Sequence, residues 1–315
     1  MATTITSVWQ GLPYLNGFLE NALELIQSAD ILILLNLSQP SRRELDLVHS
    51  FKPAFGNSLN VIVNHERIGI YRAWNQSIAK SNSKYLAIWN IDDKRTKNSI
   101  KSQIQELELS GADCAIGPYR VISEYNSTVG PLIDHSVDEN IYFMNGMRMG
   151  PFFMFKREIL EKVGMFDEQL QIAGDYDFCT RLSSVARISR TESLLGYYLD
   201  RRDGVSTSRK PIHKIENNLI HLRYGNLMKL EVKTLPEVIR TFEVSKIKVN
   251  GNLMPVPLQH ISMERFDQHP LTHYYERRKV KRLFKIYIKS RLRLMSHKIA
   301  KPLLRVISRA NHIYF

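Results

Sequence analysis

Cysteine is nearly missing from this 315-residue chain: there are two, Cys114 and Cys179. That excludes a disulfide scaffold and a thiolate metal site, both of which need more sulfur. Also missing are a charged-then-apolar leader and any uninterrupted apolar run long enough to span a bilayer. These absences lead us to expect a reducing, cytoplasmic setting. Between Arg277 and Arg309 acidic residues disappear altogether, against 13 Lys and Arg. The other 31 basic residues balance 31 acidic ones, so the net charge of +13 belongs to one tail and leaves the body neutral.

What is present is a repeated alternation of short apolar runs and amphipathic segments. Thr3–Val8, Ile31–Leu35, Leu59–Val63 and Tyr85–Trp89 read as strands, the second buried and the last buried on both faces. Between them, helices are expected from Pro13, over Arg42–Phe51 with Ser41 as N-cap, and over Tyr71–Lys80. The alternation predicts an α/β fold with a mostly parallel sheet flanked by helices. Gln10, Asn36, Asn64 and Asn90 follow the strands, at the carboxyl edge where such sheets bind nucleotides. Further on, Asn98–Leu109, Arg157–Val163 and the segment opened by Gly174 read as helices. Asp113–Gly117 and Arg187–Leu199 read as strands.

The fourth strand delivers Asn90, Asp92 and Asp93, with Lys94 and Arg95 behind them. Adjacent carboxylates repel unless a cation sits between them, and a hard divalent ion carrying phosphates suits oxygen ligands. A polar loop capping the next helix explains the same residues without any ion. Asp177 and Arg181, four apart in the helix that begins near Gly174, are expected to pair. Trp74 and Trp89 read as core residues.

The order of these segments resembles the family 2 glycosyltransferases. Asn36-Leu-Ser38 stands where that family carries Asp-Asp-x-Ser, and Gly69 through Ala73 and Asn75 match its Gly…Ala-x-Asn pattern. Asn90-x-Asp92-Asp93 matches the Asp-x-Asp metal motif. Val163-Gly-Met-Phe-Asp167 with Asp175-Tyr-Asp-Phe…Arg181 matches a later block, in which Gly174 replaces a Glu. The resemblance runs from residue 3 to about residue 210 and implies the GT-A fold, a Rossmann-like sheet. It also implies transfer of a sugar with inversion from a nucleoside-diphosphate sugar, here a UDP-sugar, assisted by Mn²⁺ or Mg²⁺. It makes Asp175 the general base and Asp92 and Asp93 metal ligands. It makes Asn36, Ser38, Gly69, Asn75, Asn90 and Asp92 donor-binding residues. Gln10 joins them by its place at a strand end, and Arg67, Arg201 and Arg202 are candidates to hold phosphate, with solvated basic loops as the alternative. A sugar-phosphate nucleotidyltransferase and a non-catalytic nucleotide-sugar-binding scaffold are the alternatives. The former lacks its basic, Gly-rich phosphate loop in Val8–Pro13.

Residues 1–230 are expected to form the catalytic domain, 231–275 a connector and 276–315 a basic helical extension. From Val280, apolar residues recur at Phe284, Ile288, Leu292, Met295, Ile299, Leu303 and Val306 among lysines and arginines. That pattern predicts a helix lying on an anionic membrane surface. The regular apolar stripe has no use on nucleic acid, so none is expected as a partner. A glycan or lipid-linked acceptor, and a peripheral membrane location, follow from the resemblance and the tail.

Overall fold

A computed structural model describes residues 1–137, 147–201, 211–226 and 229–258. The chain opens with β1 (Ala2–Val8), α1 (Leu12–Ile26), β2 (Ile31–Ser38), α2 (Arg42–Phe55), β3 (Leu59–Asn64), α3 (Ile70–Lys80) and β4 (Tyr85–Ile88). It continues through β5 (Lys94–Arg95), α4 (Ser99–Ser110), β6 (Cys114–Ile116), β7 (Tyr119–Ile122), β8 (Leu132–Ile133) and β9 (Met154–Lys156). Then come α5 (Leu160–Val163), α6 (Gly174–Val185), β10 (Ile188–Arg190), β11 (Gly196–Leu199), α7 (Pro211–Arg223), α8 (Leu235–Thr241), β12 (Lys246–Val249) and β13 (Asn252–Pro255).

The main sheet has the order β10-β6-β9-β4-β1-β2-β3. The β1–β2, β1–β4, β2–β3 and β6–β10 pairs are parallel, and β9 alone runs against its neighbours β4 and β6. The expected mostly parallel α/β sheet is therefore present. Strand periodicity explains how it is covered. Ile31, Ile33, Leu35 and Leu37 of β2 join Leu15, Phe18, Leu19 and Val48 of α1 and α2 in one buried cluster. The intervening Asn36 turns the other way and donates to the Ala73 carbonyl of α3 at 3.0 Å. Successive side chains leave opposite faces of a strand, so helices cover both faces.

Local chemistry fixes the helix ends. Ser41 accepts the Glu44 amide hydrogen and Glu44 returns the favour to the Ser41 N–H, a capping box. Such a box contributes about 1 kcal/mol to the start of α2. The helix runs past the expected end at Phe51, through Pro53 to Phe55. Trp74 and Trp89 are buried as expected, Trp89 with its ring 4.4 Å from that of Phe18.

The stretch 187–199 is corrected. It is not one strand but two, β10 at the edge of the main sheet and β11 in a second sheet of order β5-β11-β7-β8. The break falls at Thr191–Leu195, where Leu195 donates to the Pro118 carbonyl and turns the chain toward β7. Residues Met1–Ser208 and Ile247–Pro257 make one compact unit, and Arg209–Lys246 contribute to a second. Within the second, α7 packs on α8, and Asn218 bonds both Glu231 and Thr234. The hairpin β12–β13 falls inside the stretch read as connector, yet most of it belongs to the first unit. Asp167 accepts the Lys248 N–H, and Glu168 accepts those of Asn250 and Gly251.

Candidate active site

At the carboxyl end of β1 the chain turns sharply through Trp9-Gln10-Gly11, with Gln10 at φ 52°. Only glycine fits at 11, since a Cβ there would lie 2.5 Å from Val8 Cγ1 and 2.7 Å from Ile91 Cδ1. The Gly11 N–H donates to Glu44 Oε1 at 2.8 Å, while Glu44 Oε2 accepts the N–H and hydroxyl of Ser41. One buried carboxylate thus joins the end of β1 to the start of α2. Between the two lies a cleft of about 400 Å³, lined by Trp9, Gln10, Leu12, Gln39 and Pro40. Trp9 is 44% exposed there, and the Arg67 guanidinium sits 3.8 Å above its ring. The indole is thus half-exposed at the cleft, with a cation on one face of its ring. Trp9 is not among the residues singled out above; the signal in the sequence is an indole directly before Gln10-Gly11, at the end of a strand.

Several residues expected to meet the donor also bond to the scaffold. Asn36 is buried, its amide donating to Ala73, Gln76 and Ser77 and its oxygen accepting from Asn64. Ser38 exchanges hydrogen bonds with the backbone of Ile68, fixing the loop that carries Arg67. Asn75 is also buried and brackets Phe166, donating to its carbonyl and accepting its N–H, with a further bond to Glu168. Gly69 is exposed, caps α3 and has open space on its Cβ side. Arg202 lies outside the described residues.

At the end of β4 the two carboxylates differ. Asp93 is buried. Its Oδ1 accepts the Leu199 N–H at 3.0 Å and its Oδ2 accepts the Asn90 amide at 3.1 Å. Its own carbonyl accepts the Trp89 indole N–H. Burial, and then the charge of Asp92, push its carboxyl well above the usual range. Burial holds the neighbouring Arg95 guanidinium down at about 9, opposed by the charge of Asp93. Asp92 is only partly buried. Burial raises its carboxyl too, against the pull of the Arg201 charge. Arg201 follows β11 by two residues and lies 5.4 Å over the ring of Tyr14. Tyr14 meets Tyr125 edge-on at 5.0 Å, and the phenol of Tyr125 is pushed up to about 12 by burial and then by Asp92. Asp92, Arg201, Tyr14 and Tyr125 therefore converge beyond β4. Neither tyrosine was singled out from the sequence.

The second acidic pair opens α6. Asp177 and Arg181 form the expected i,i+4 ion pair at 2.8 Å, both fully buried. Arg181 also donates to the Val163 and Met165 carbonyls. Asp175 is partly buried in the first turn, accepting the Tyr176 N–H at 2.7 Å.

Among the described residues no three His, Cys, Asp or Glu side chains gather into a ready-made cation cage. The donor set still fits a divalent ion that arrives with phosphates, because Mg²⁺-type sites need one or two carboxylates plus substrate oxygens. Asp92 is the carboxylate open to it. Asp93 has both oxygens engaged by Leu199 and Asn90 and is better suited to the layer behind.

Comparison with known proteins bears on these features. No curated protein matches the chain. The S. aureus TarS structure in complex with UDP-GlcNAc shares the fold with a TM-score of 0.57 at 13% identity, over 76% of this chain and 79% of that one. The TarS structure with UDP gives 0.55 at 13% identity over 76% and 78%. These likenesses confirm the GT-A architecture. The model of "Glycosyl transferase family 2" matches residues 3–164, more than half of the sequence, so the chain belongs to that family and is a glycosyltransferase.

Proposed function

We propose that the protein moves a sugar with inversion from a UDP-sugar to a hydroxyl of a surface-glycan or lipid-linked acceptor. The reading is supported above all by one observation. The Trp9 cleft, the Arg67 guanidinium over the Trp9 ring and the partly buried Asp92 all follow strands of the parallel part of the main sheet, β1, β3 and β4, whose carboxyl ends share an edge. Open sheets take nucleotides at that edge. In this reading Trp9, Gln10 and Arg67 receive the base, Arg201 and Arg202 hold the diphosphate, and Asp92 ligates the cation with Asp93 behind it. A bound Mn²⁺ or Mg²⁺ would stabilise the charge gathering on the diphosphate as a Lewis acid. Asp175 takes the proton from the acceptor hydroxyl as it attacks, on the face opposite the leaving group, which inverts the anomeric carbon. Asn36, Ser38 and Asn75 serve by shaping the walls, and Gly69 by opening α3.

The basic tail between Arg277 and Arg309 supports a peripheral membrane position at the cytoplasmic face, close to a lipid-linked acceptor. It lies outside the described residues, and among those no helix is long and apolar enough to cross a membrane. Thermal shift with a panel of nucleotide sugars, with and without Mn²⁺, tests the donor assignment. UDP-sugars should raise the melting temperature more with Mn²⁺ than without, and a response to no UDP-sugar overturns it. Binding of UDP-sugars without their turnover would single out the scaffold alternative.

A further inference from the structure

Gly174, where the family pattern carries Glu, directly precedes Asp175. A Cβ at 174 would lie 2.6 Å from Cε2 of Tyr71 and 2.7 Å from both Cδ2 and Cζ. That ring has little room to yield. It is 3% exposed, edge-on to Trp74 at 5.3 Å and stacked on Phe166 at 6.1 Å. Its hydroxyl donates to the Ile172 carbonyl at 2.6 Å. One turn further along α3, Asn75 grips both backbone groups of Phe166. The helix that begins at Gly69 therefore holds the segment leading to Asp175 at two points, and the tyrosine ring lies against the residue just before it.

We propose that Tyr71 and Gly174 are a matched pair that positions Asp175. The ring fills the space that a larger residue at 174 would need, and the hydroxyl ties down the loop three residues before the base. Tyr71 touches no reacting atom in this account; it sets how far the Asp175 carboxylate reaches into the crevice. Proton transfer needs the base within hydrogen-bond reach of the hydroxyl, and a displacement of about 1 Å can lower the rate ~10²-fold. The inference rests on Asp175 being the base and goes beyond it by assigning what holds that base in place.

Full-length Tyr71→Phe keeps the ring and removes only the hydroxyl. Hydrogen exchange of the peptide covering residues 171–176 should become about fivefold faster, the effect of one lost hydrogen bond, while β1 and β2 keep their protection. With UDP-GlcNAc as probe and water as acceptor, release of UDP should slow roughly 10-fold in kcat with the donor KM unchanged. Gly174→Ala should slow it further. Tyr71→Ala combined with Gly174→Ala should be no slower than Tyr71→Ala alone, because the vacated ring space accepts the new methyl group. Unchanged exchange at 171–176 in Tyr71→Phe overturns the proposal, as does faster exchange spread evenly over the unit. A kcat and KM that fall together, or fully additive losses in the double variant, also overturn it. Asp175→Asn in the same assay separates the two levels. If it leaves UDP release intact while the exchange result holds, the assignment of the base fails and the loop clamp stands.

Discussion

The molecule carries two acidic pairs, Asp92–Asp93 beyond β4 and Asp175–Asp177 at the start of α6, and they divide their labour alike. In each, one carboxylate is fully committed: Asp93 to the Leu199 N–H and the Asn90 amide, Asp177 to Arg181. In each, the other is partly buried, and our proposal gives it the chemistry. The committed members differ in how burial is compensated. Asp177 meets a guanidinium directly at 2.8 Å, whereas Asp93 relies on two neutral donors and a more distant Arg95. Sequence neighbours rich in Asp are therefore not a count of working carboxylates. A buried charge that fixes a loop looks identical, in the sequence, to one that meets substrate.

The division can be broken in order of expected effect. Asp175→Asn is nearly isosteric but accepts no proton, so turnover should fall by roughly 10²–10⁴-fold while melting temperature and donor affinity hold. Turnover kinetics beside a thermal melt checks this, and a stability loss with turnover intact would exchange the roles of the pair. Asp177→Ala takes the carboxylate away from the buried Arg181 charge, and breaking a buried ion pair from one side costs about 3–5 kcal/mol. The melting temperature should drop by roughly 10 °C or more, a loss Asp175→Asn does not share.

The smallest effect distinguishes Asp93 through pH. Its carboxyl is raised in the folded protein above the ordinary 3.8, by burial and then by Asp92. Its stabilising contribution is therefore whole below that value and is lost as pH rises through the folded value. Asp93→Asn cannot ionise and escapes the loss. The melting temperature of the variant relative to the native protein should climb as pH rises above about 4. A difference that stays constant with pH would show that burial does not raise the Asp93 carboxyl.

Local signals were the ones the sequence carried clearly. The capping box of Ser41 and Glu44, the Asp177–Arg181 pair and the strand alternation each lie within a few residues of chain. The alternation was enough for the mostly parallel sheet. What escaped reading was set by distant partners. Nothing near Asp93 announces that Leu199, 106 residues away, will claim its oxygen. Nothing near Asn36 in the sequence announces that α3 will place Ala73, Gln76 and Ser77 around its amide. Arg187–Leu199 kept one apolar pattern through two sheets, since a strand carries no local mark of which sheet it joins. The Asn250-Gly251 turn, with both residues at positive φ, is a hairpin signal within the chain. Its docking on Asp167 and Glu168 is not.

The division between Asp92 and Asp93 is tested most directly by calorimetry of UDP binding, with and without Mn²⁺, in the native protein, Asp92→Ala and Asp93→Asn. Asp92→Ala should abolish the Mn²⁺-dependent gain in affinity without unfolding the protein, and Asp93→Asn should retain most of it. A gain that survives in Asp92→Ala and disappears in Asp93→Asn would contradict the account.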